Sequence, residues 1–253
     1  MKDAPEFDSF SDSYEQLIKN PIRDRFSGGT SDFFHRCKRD LIRDHFRLRG
    51  IDTRTLSYLD LGCGKGELLT LLKDDFSRAC GCDPSKGMIA MGGLEARGID
   101  ARVQLEDERI PFDDGQFDFV TAVCVYHHVA PAYRRNLTAE VRRVLKPDGA
   151  FAIIEHNPYN PVTRFIVSRT PVDVDAILLR PAETRQLLRH EGLTVQNLRY
   201  FLYLPEVAYR RLGFLERALG SWMPLGGQYV VFGRSNPKPA HDPIGQQANV
   251  GIR

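Results

Sequence analysis

The sequence lacks a long apolar run, an apolar leader and a marked excess of charge of either sign. No stretch approaches the roughly 18 consecutive apolar residues that a transmembrane helix needs, so we expect no membrane span. The first ten residues, MKDAPEFDSF, lack the apolar core of a signal peptide, so we expect a cytoplasmic protein. Lys and Arg number 35 against 33 Asp and Glu, for a formal net charge of +2. Dedicated nucleic-acid-binding domains are usually far more basic, so we expect no nucleic-acid partner.

Cysteine is scarce, and its spacing does not indicate a metal site. The five cysteines are Cys37, Cys63, Cys80, Cys82 and Cys124. Their number is odd, and a chain of 253 residues can build a core without disulfides, so we expect reduced thiols. Cys80 and Cys82 are separated by one residue and have no second pair in the sequence. We therefore expect no zinc site and, more generally, no bound metal.

Hydrophobic residues make up 42% of the chain, which is enough for one sizeable core with small appended elements. We expect an N-terminal arm and helix that cover the ligand site over residues 1–50, and a main domain over residues 51–233. Two segments, 157–180 and 204–225, interrupt the regular pattern of the main domain and are interpreted as lid-like insertions. Residues 234–253 are rich in Pro, Gln, Asn and Gly, and we expect a disordered tail there.

Short apolar runs alternate with amphipathic segments through the main domain. Strands are predicted at residues 56–61, 78–83, 101–105, 117–125, 150–155, 194–203 and 228–233. Helices are predicted at residues 14–18, 31–48, 67–74, 88–97, 131–145 and 182–190, with a further helix within 204–225. Strands that alternate with helices favour a parallel sheet covered on both faces. The predicted fold is α/β: Rossmann-like and doubly wound, with a mostly parallel seven-stranded sheet.

The first predicted strand runs directly into a glycine-rich turn, Asp60-Leu61-Gly62-Cys63-Gly64-Lys65-Gly66-Glu67. Closely spaced glycines let a ligand approach the backbone where a Cβ atom would collide. A dinucleotide fold requires Gly-x-Gly-x-x-Gly, but here the third glycine comes one residue early and Glu67 takes its place. A carboxylate at a helix N-terminus repels phosphate, so the turn favours a ligand without phosphates.

A second carboxylate, Asp83, ends the second predicted strand about twenty residues further on. An acidic side chain at this place accepts hydrogen bonds from ribose hydroxyls. We expect Asp83 to face the ligand without a role in folding. A third acidic cluster, Glu106-Asp107-Glu108, ends the third predicted strand.

Five segments in order resemble the successive motifs of class I S-adenosylmethionine-dependent methyltransferases, in particular the type 11 and 12 small-molecule enzymes. They are residues 59–66 (LDLGCGKG), Asp83, residues 106–112 (EDERIPF), residues 117–129 (FDFVTAVCVYHHV) and residues 145–149 (LKPDG). The resemblance is strong over residues 50–156 and loose over 181–233, and it implies S-adenosylmethionine as cofactor.

The resemblance also implies roles for individual residues. The backbone at Gly62 and Gly64 would line the amino-acid part of the cofactor with Asp60 nearby, and Asp83 would hold the ribose. Glu106 stands where the family usually has Asp near the adenine amino group, so the contact falls to Glu106 or Asp107. The remaining predicted cofactor-binding residues are Tyr14, Cys63, Gly66, Pro84 and Val123.

Polar side chains follow the fourth and fifth predicted strands, where the methyl group should point. His127 is predicted to lean toward the pocket as a neutral general base for a hydroxyl or amine, whereas His128 would support the loop. Glu155 and His156 are predicted to orient or deprotonate the acceptor with His127. The alternative reading of each histidine, as a hydrogen-bonded structural residue, stays open.

These features favour methyl transfer to a small molecule, on oxygen more than on nitrogen or carbon, as in secondary or glycan metabolism. Two alternatives stay open. One is an RNA or protein methyltransferase, against which the absence of a basic flanking domain counts. The other is a catalytically silent cofactor-binding partner subunit. A homodimer is compatible with the sequence.

Overall fold

A computed structural model describes residues 13–104 and 109–236. Within this part of the chain, seven strands form one sheet in the order β3-β2-β1-β4-β5-β7-β6. Their bounds are β1 Ser57–Leu61, β2 Arg78–Asp83, β3 Asp100–Val103, β4 Phe117–Val123, β5 Leu145–His156, β6 Leu193–Phe201 and β7 Gln228–Ser235. The first five strands pair in parallel, and β7 runs antiparallel to both β5 and β6. The predicted fold class is confirmed.

Helices cover both faces of the sheet. The helices of the described residues are α1 Tyr14–Leu17, α2 Pro21–Ser27, α3 Asp32–Arg47, α4 Glu67–Leu72, α5 Lys86–Gly92, α6 Arg134–Val144, α7 Pro161–Val167, α8 Pro181–His190 and α9 Glu206–Leu219. Short 3₁₀ turns occupy Thr53–Thr55, Lys73–Asp75, Glu95–Arg97 and Pro171–Asp173. None of the helices in the described ranges is both long and apolar enough to cross a membrane.

Each central strand contributes side chains to two cores. In β1, Leu59 and Leu61 pack on one face of the sheet, and Tyr58 packs on the other. Successive side chains of a strand point to opposite faces, so burial of both sets requires a layer on each side. The layer above Tyr58 includes α3, whose Phe33, Cys37 and further residues recur at helical spacing.

Several predicted boundaries differ from the structure. The predicted helix 88–97 divides at Gly93, whose φ of +55° ends α5 in the left-handed region. The predicted helix 131–145 begins only at Arg134. The predicted strand 150–155 begins five residues earlier, because Leu145 pairs with Phe117 and β5 starts there. Finally, β7 extends to Ser235, two residues beyond the expected end of the main domain.

The chain order of the parallel strands reverses between β1 and β4, which are neighbours in the sheet. One half of the sheet runs outward through β2 and β3, and the other through β5. Open α/β sheets leave a crevice at such a point, beyond the carboxyl ends of the strands. The glycine turn after β1 and the histidines after β4 both follow carboxyl ends at this edge.

Candidate active site

The carboxyl edge of the sheet opens into a cavity of about 800 Å³. Its floor comes from residues at the ends of four strands, including Gly62, Asp83, Val123 and His156. Side chains of α1, α2 and α3 line one side, and those of α7 and the 3₁₀ turn Pro171–Asp173 line another. A volume of this order lies in the upper part of the usual range for small-molecule sites.

The glycine turn needs glycine at Gly62 for two separate reasons. Its φ of +68° lies in the left-handed region, and an added Cβ would come within 2.4 Å of Val125 Cγ2. The Gly62 N–H donates to Cys82 O at 2.8 Å, which ties the turn to the end of β2. The bare backbone therefore forms a ligand-facing edge between two strands.

Asp83 is held in place by the same turn. Its Oδ2 accepts a hydrogen bond from the Gly64 N–H at 2.8 Å, and its Oδ1 accepts one from the Ser85 N–H at 2.8 Å. The side chain lines the cavity and is largely buried. The expectation that Asp83 has no role in folding is wrong, because the carboxylate satisfies two backbone donors of the loops that it joins.

Asp60 lies near the end of β1 and lines the cavity, although its side chain is almost fully buried. Its Oδ1 accepts a hydrogen bond from Thr121 Oγ1 at 2.6 Å, and the Tyr58 hydroxyl lies 2.7 Å from the same Thr121 oxygen. Burial, with a contribution from the Asp83 carboxylate, raises the pKa of Asp60 to about 7. A cationic ligand nearby would favour its charged form, so two carboxylates at this end suit a positively charged group.

The other predicted cofactor residues divide into three groups. Tyr14, Cys63, Pro84 and Val123 line the cavity, and the Lys65 Nζ lies 5.6 Å above the Tyr14 ring. Gly66 is not among the lining residues; an added Cβ would meet Leu94 Cδ2 at 2.4 Å, so this glycine serves packing beneath α4. Glu106 and Asp107 lie outside the described residues, although the nearby Gln104 lines the cavity.

His127 and Glu155 form a buried pair. His127 Nδ1 lies 2.5 Å from Glu155 Oε2, and Glu155 Oε1 accepts a hydrogen bond from the Tyr126 N–H at 2.8 Å. The His127 side chain is 1% exposed and that of Glu155 is 0% exposed. Only His127 lines the cavity, so Glu155 does not reach an acceptor and acts by positioning the histidine.

Burial alone would lower the pKa of His127, but the Glu155 and Asp173 carboxylates raise it well above its ordinary value. The protonated ring has no lone pair to accept a proton, which argues against the neutral general base predicted for His127. His156 differs, because burial and the neighbouring His127 lower its pKa to about 4. Its ring is therefore neutral, and its Nε2 lies 3.8 Å from Cys124 Sγ.

No sequence pattern points to Asp173, which reaches the same cavity from the 3₁₀ turn Pro171–Asp173. Its Oδ1 lies 3.4 Å from His128 Nε2 and 3.5 Å from His127 Nε2. His35 and Lys38 on α3 also line the cavity and were not predicted. Isolated charged residues in a helix or an irregular segment carry no local pattern, so only the fold brings them to the site.

Comparison with known proteins agrees with this geometry. Residues 59–153 match the family described as "Methyltransferase domain". An uncharacterized methyltransferase of Synechocystis is 36% identical over 103 residues, which cover 40% of this chain and 48% of that protein. The ubiquinone biosynthesis O-methyltransferase of Acinetobacter baumannii is 26% identical over 180 residues, covering 63% and 74% of the two chains. The chain thus spans about half the length of the Synechocystis relative.

A solved structure from Thermotoga maritima, described as an S-adenosylmethionine-dependent methyltransferase and possible histamine N-methyltransferase, has the same fold. The TM-score is 0.63 at 17% identity, over 91% of this chain and 98% of that one. This likeness shows the fold, and the family match shows that residues 59–153 carry a methyltransferase domain. The predicted class and cofactor are confirmed at the level of this domain.

Proposed function

We propose that the protein transfers a methyl group from S-adenosylmethionine to a hydroxyl-bearing small molecule. The observation that carries the proposal is that one cavity extends from the glycine turn and Asp83 to His128 and His156. The cofactor and an acceptor can therefore meet within it. The relative from Acinetobacter baumannii that is named an O-methyltransferase supports oxygen as the accepting atom.

The cofactor end of the cavity fits S-adenosylmethionine by its donor set and by its backbone. Gly62 lines the cavity without a side chain, so its backbone can contact the ligand. Asp83 is oriented to accept hydrogen bonds from the ribose, and Asp60 stabilises the positive charge of the amino-acid part. When bound, the cofactor supplies an activated methyl group on a sulfonium. The protein then mainly aligns the acceptor with it.

The acceptor end of the cavity, the acceptor chamber, is largely apolar. It is lined by Val162, Ile166 and Val167 on α7 and by Leu202 and Leu225, and the histidines provide polar groups. We propose that residues 13–47 and the segment 157–180 cover this chamber. Such a cover excludes water and favours a small acceptor over RNA or a folded protein.

The first test is ligand-dependent thermal stability. S-adenosylmethionine and S-adenosylhomocysteine should each raise the melting temperature, because a ligand at a hundredfold excess over its Kd stabilises the native state by about 2.7 kcal/mol. NAD and ATP should not, because the Glu67 carboxylate in the first turn of α4 repels phosphate. A larger shift with NAD than with S-adenosylhomocysteine would refute the cofactor assignment.

The second test identifies the class of acceptor. The protein is incubated with methyl-labelled S-adenosylmethionine and, separately, a small-molecule extract, total RNA or total protein. The proposal predicts label in an organic-extractable small molecule. Label only in RNA or protein would favour a macromolecular methyltransferase. Binding of the cofactor without transfer to any fraction would favour a silent partner subunit.

A further inference from the structure

Three side chains at the base of the acceptor chamber bring their ligand atoms together. His127 and His128 follow β4, and Asp173 belongs to the 3₁₀ turn Pro171–Asp173. One nitrogen from each histidine and one oxygen of Asp173 all lie within 4.8 Å of one another. Asp173 Oδ1 lies 3.5 Å from His127 Nε2 and 3.4 Å from His128 Nε2. Ligand atoms of a tetrahedral ion with bonds of about 2.1 Å are about 3.4 Å apart. The two distances from Asp173 Oδ1 to the histidine nitrogens already match this separation.

The His127 ring is oriented as a metal ligand is oriented. Its Nδ1 lies 2.5 Å from the buried Glu155 carboxylate, which directs Nε2 toward the cavity side. Among the described residues, the buried Nε2 makes no hydrogen bond of normal geometry, although Asp173 Oδ1 lies 3.5 Å from it. A buried polar atom without a partner is costly. Histidines that bind metals almost always place the other ring nitrogen on a carboxylate or carbonyl in this way.

We propose that His127 Nε2, His128 Nε2 and Asp173 bind a divalent transition-metal ion at the base of the acceptor chamber, and that the ion displaces the proton that His127 carries in its absence. Two imidazoles and one carboxylate suit Zn²⁺, Mn²⁺ and related ions better than Mg²⁺ or Ca²⁺, which prefer oxygen ligands. Three protein ligands leave open coordination positions, as in catalytic rather than structural sites. All three residues line the cavity, so an open position can face the acceptor.

The catalytic role of this ion rests on the proposed function, whereas its binding does not. An acceptor hydroxyl bound to the ion loses its proton more readily, because a metal lowers the pKa of a bound O–H group, and the proton passes to water as the acceptor enters, before the chamber closes. The resulting oxyanion attacks the methyl carbon. The O–CH₃ bond forms as the S–CH₃ bond breaks, and the sulfonium becomes the neutral thioether of S-adenosylhomocysteine. The ion holds the oxygen, and His127 need not accept a proton.

The test measures metal binding directly on untagged protein stripped with a chelator. Dialysis against Zn²⁺ and Mn²⁺ in separate experiments, followed by elemental analysis, should give one ion per wild-type chain. His128→Asn and Asp173→Asn should each weaken metal binding at least about tenfold. Loss of a residue that only orients a ligand already weakens binding about tenfold or more, and loss of a ligand should weaken it at least as much. Asp175→Asn is the matched control, because Asp175 is an exposed carboxylate two residues away and should bind as wild type does.

A second control concerns sulfur ligands. Cys124 Sγ lies 3.8 Å from His156 Nε2 and could attract Zn²⁺, so Cys124→Ser should retain the ion if the proposal is correct. Thermal unfolding establishes that each variant is folded. If only one of His128→Asn and Asp173→Asn folds, that variant is enough for the test. Absence of a stoichiometric ion in folded wild-type protein would overturn the proposal. So would equal binding in folded His128→Asn or Asp173→Asn, or loss of the ion in Cys124→Ser alone.

S-adenosylhomocysteine binding, measured by calorimetry on the same samples, separates this inference from the proposed function. If the protein binds S-adenosylhomocysteine but no metal ion, the metal site is refuted and the methyltransferase proposal stays intact. If it binds a metal ion but neither form of the cofactor, the site is supported and the proposed reaction is refuted.

Discussion

At the scale of single residues, the glycine turn combines two constraints that can be separated by experiment. Gly62 and Gly98 have φ values of +68° and +72°, so both are strained by any side chain. Only Gly62 faces an obstacle, Val125 Cγ2, which an added Cβ would approach to 2.4 Å; nothing lies within 4 Å of a Cβ at Gly98. Substitutions at Gly98 and Gly62 therefore separate the cost of the left-handed backbone conformation from the cost of a steric clash.

Gly98→Ala should cost about 1–2 kcal/mol of unfolding free energy, the cost of a left-handed residue with a Cβ. Gly62→Ala should cost a further 1–3 kcal/mol, about what overpacking costs, and should abolish binding of S-adenosylhomocysteine. Chemical denaturation and calorimetry measure the two effects. Gly62→Ala combined with Val125→Ala should regain part of the stability, since the second change removes the obstacle. Equal losses in the two single variants would contradict this explanation.

Asp83 has both a structural and a ligand-binding role, and two substitutions divide them. Asp83→Ala leaves the Gly64 and Ser85 amides without their acceptor and should cost about 2 kcal/mol of stability. Asp83→Asn retains one accepting oxygen and should cost less. Both should weaken S-adenosylhomocysteine binding about tenfold or more, because a charged acceptor contributes about 1.5–3 kcal/mol per hydrogen bond. Unchanged affinity in folded Asp83→Asn would refute the ribose assignment.

At the scale of elements, the regular part of the domain could be predicted from the sequence and the cover could not. β1, β2 and β4 are short, mostly apolar segments separated by turns and amphipathic helices, so the local sequence predicts their type and order. The ion pair of His127 with Glu155, by contrast, depends on β4 and β5 lying side by side. Asp173 reaches the site only because a segment without a regular pattern folds back over the sheet edge.

The segment between β6 and β7 shows how one side chain can fix an insertion. The Glu216 carboxylate on α9 accepts hydrogen bonds from the backbone N–H groups of Leu202, Tyr203 and Leu204, at 3.0, 2.8 and 2.9 Å. Leu202 has a φ of +62°, an unfavourable value for leucine. The carboxylate thus holds the end of β6 in a strained turn that lines the acceptor chamber.

Glu216→Gln should destabilise this element, because the amide replaces one accepting oxygen with a donor that faces backbone N–H groups. We expect a loss of about 1–3 kcal/mol and faster hydrogen exchange at residues 202–204. Hydrogen exchange followed by mass spectrometry measures the local effect. Arg211→Gln, on an exposed position of the same helix, is the control and should exchange as wild type does. Protection at 202–204 that survives Glu216→Gln would exclude this role.

At the scale of the whole molecule, stability depends on how α3 covers the sheet. His45 on α3 is 4% exposed, and its ring stacks on Phe232 of β7 with centroids 3.7 Å apart. This contact joins the N-terminal layer to the antiparallel end of the sheet. Burial, with the nearby Arg49 and Arg199 guanidinium groups, lowers the pKa of His45 to about 3. The packed molecule therefore requires a neutral imidazole.

Acid should consequently weaken the fold through His45. Its pKa is about 6.5 in the unfolded chain and about 3 in the folded one, so between these values only the unfolded state takes up the proton. Stability falls as the pH drops through this window, by about 1.4 kcal/mol per pH unit, or about 2 kcal/mol at about pH 5. His45→Phe keeps an aromatic ring against Phe232 and removes the titration. Urea denaturation at about pH 8 and about pH 5 should therefore show a smaller acid-induced loss of unfolding free energy in the variant, by about 2 kcal/mol.

Other buried histidines titrate equally in both proteins, so their contributions cancel in this difference. Equal losses of unfolding free energy in wild type and His45→Phe would show that His45 is not the group that couples folding to protons.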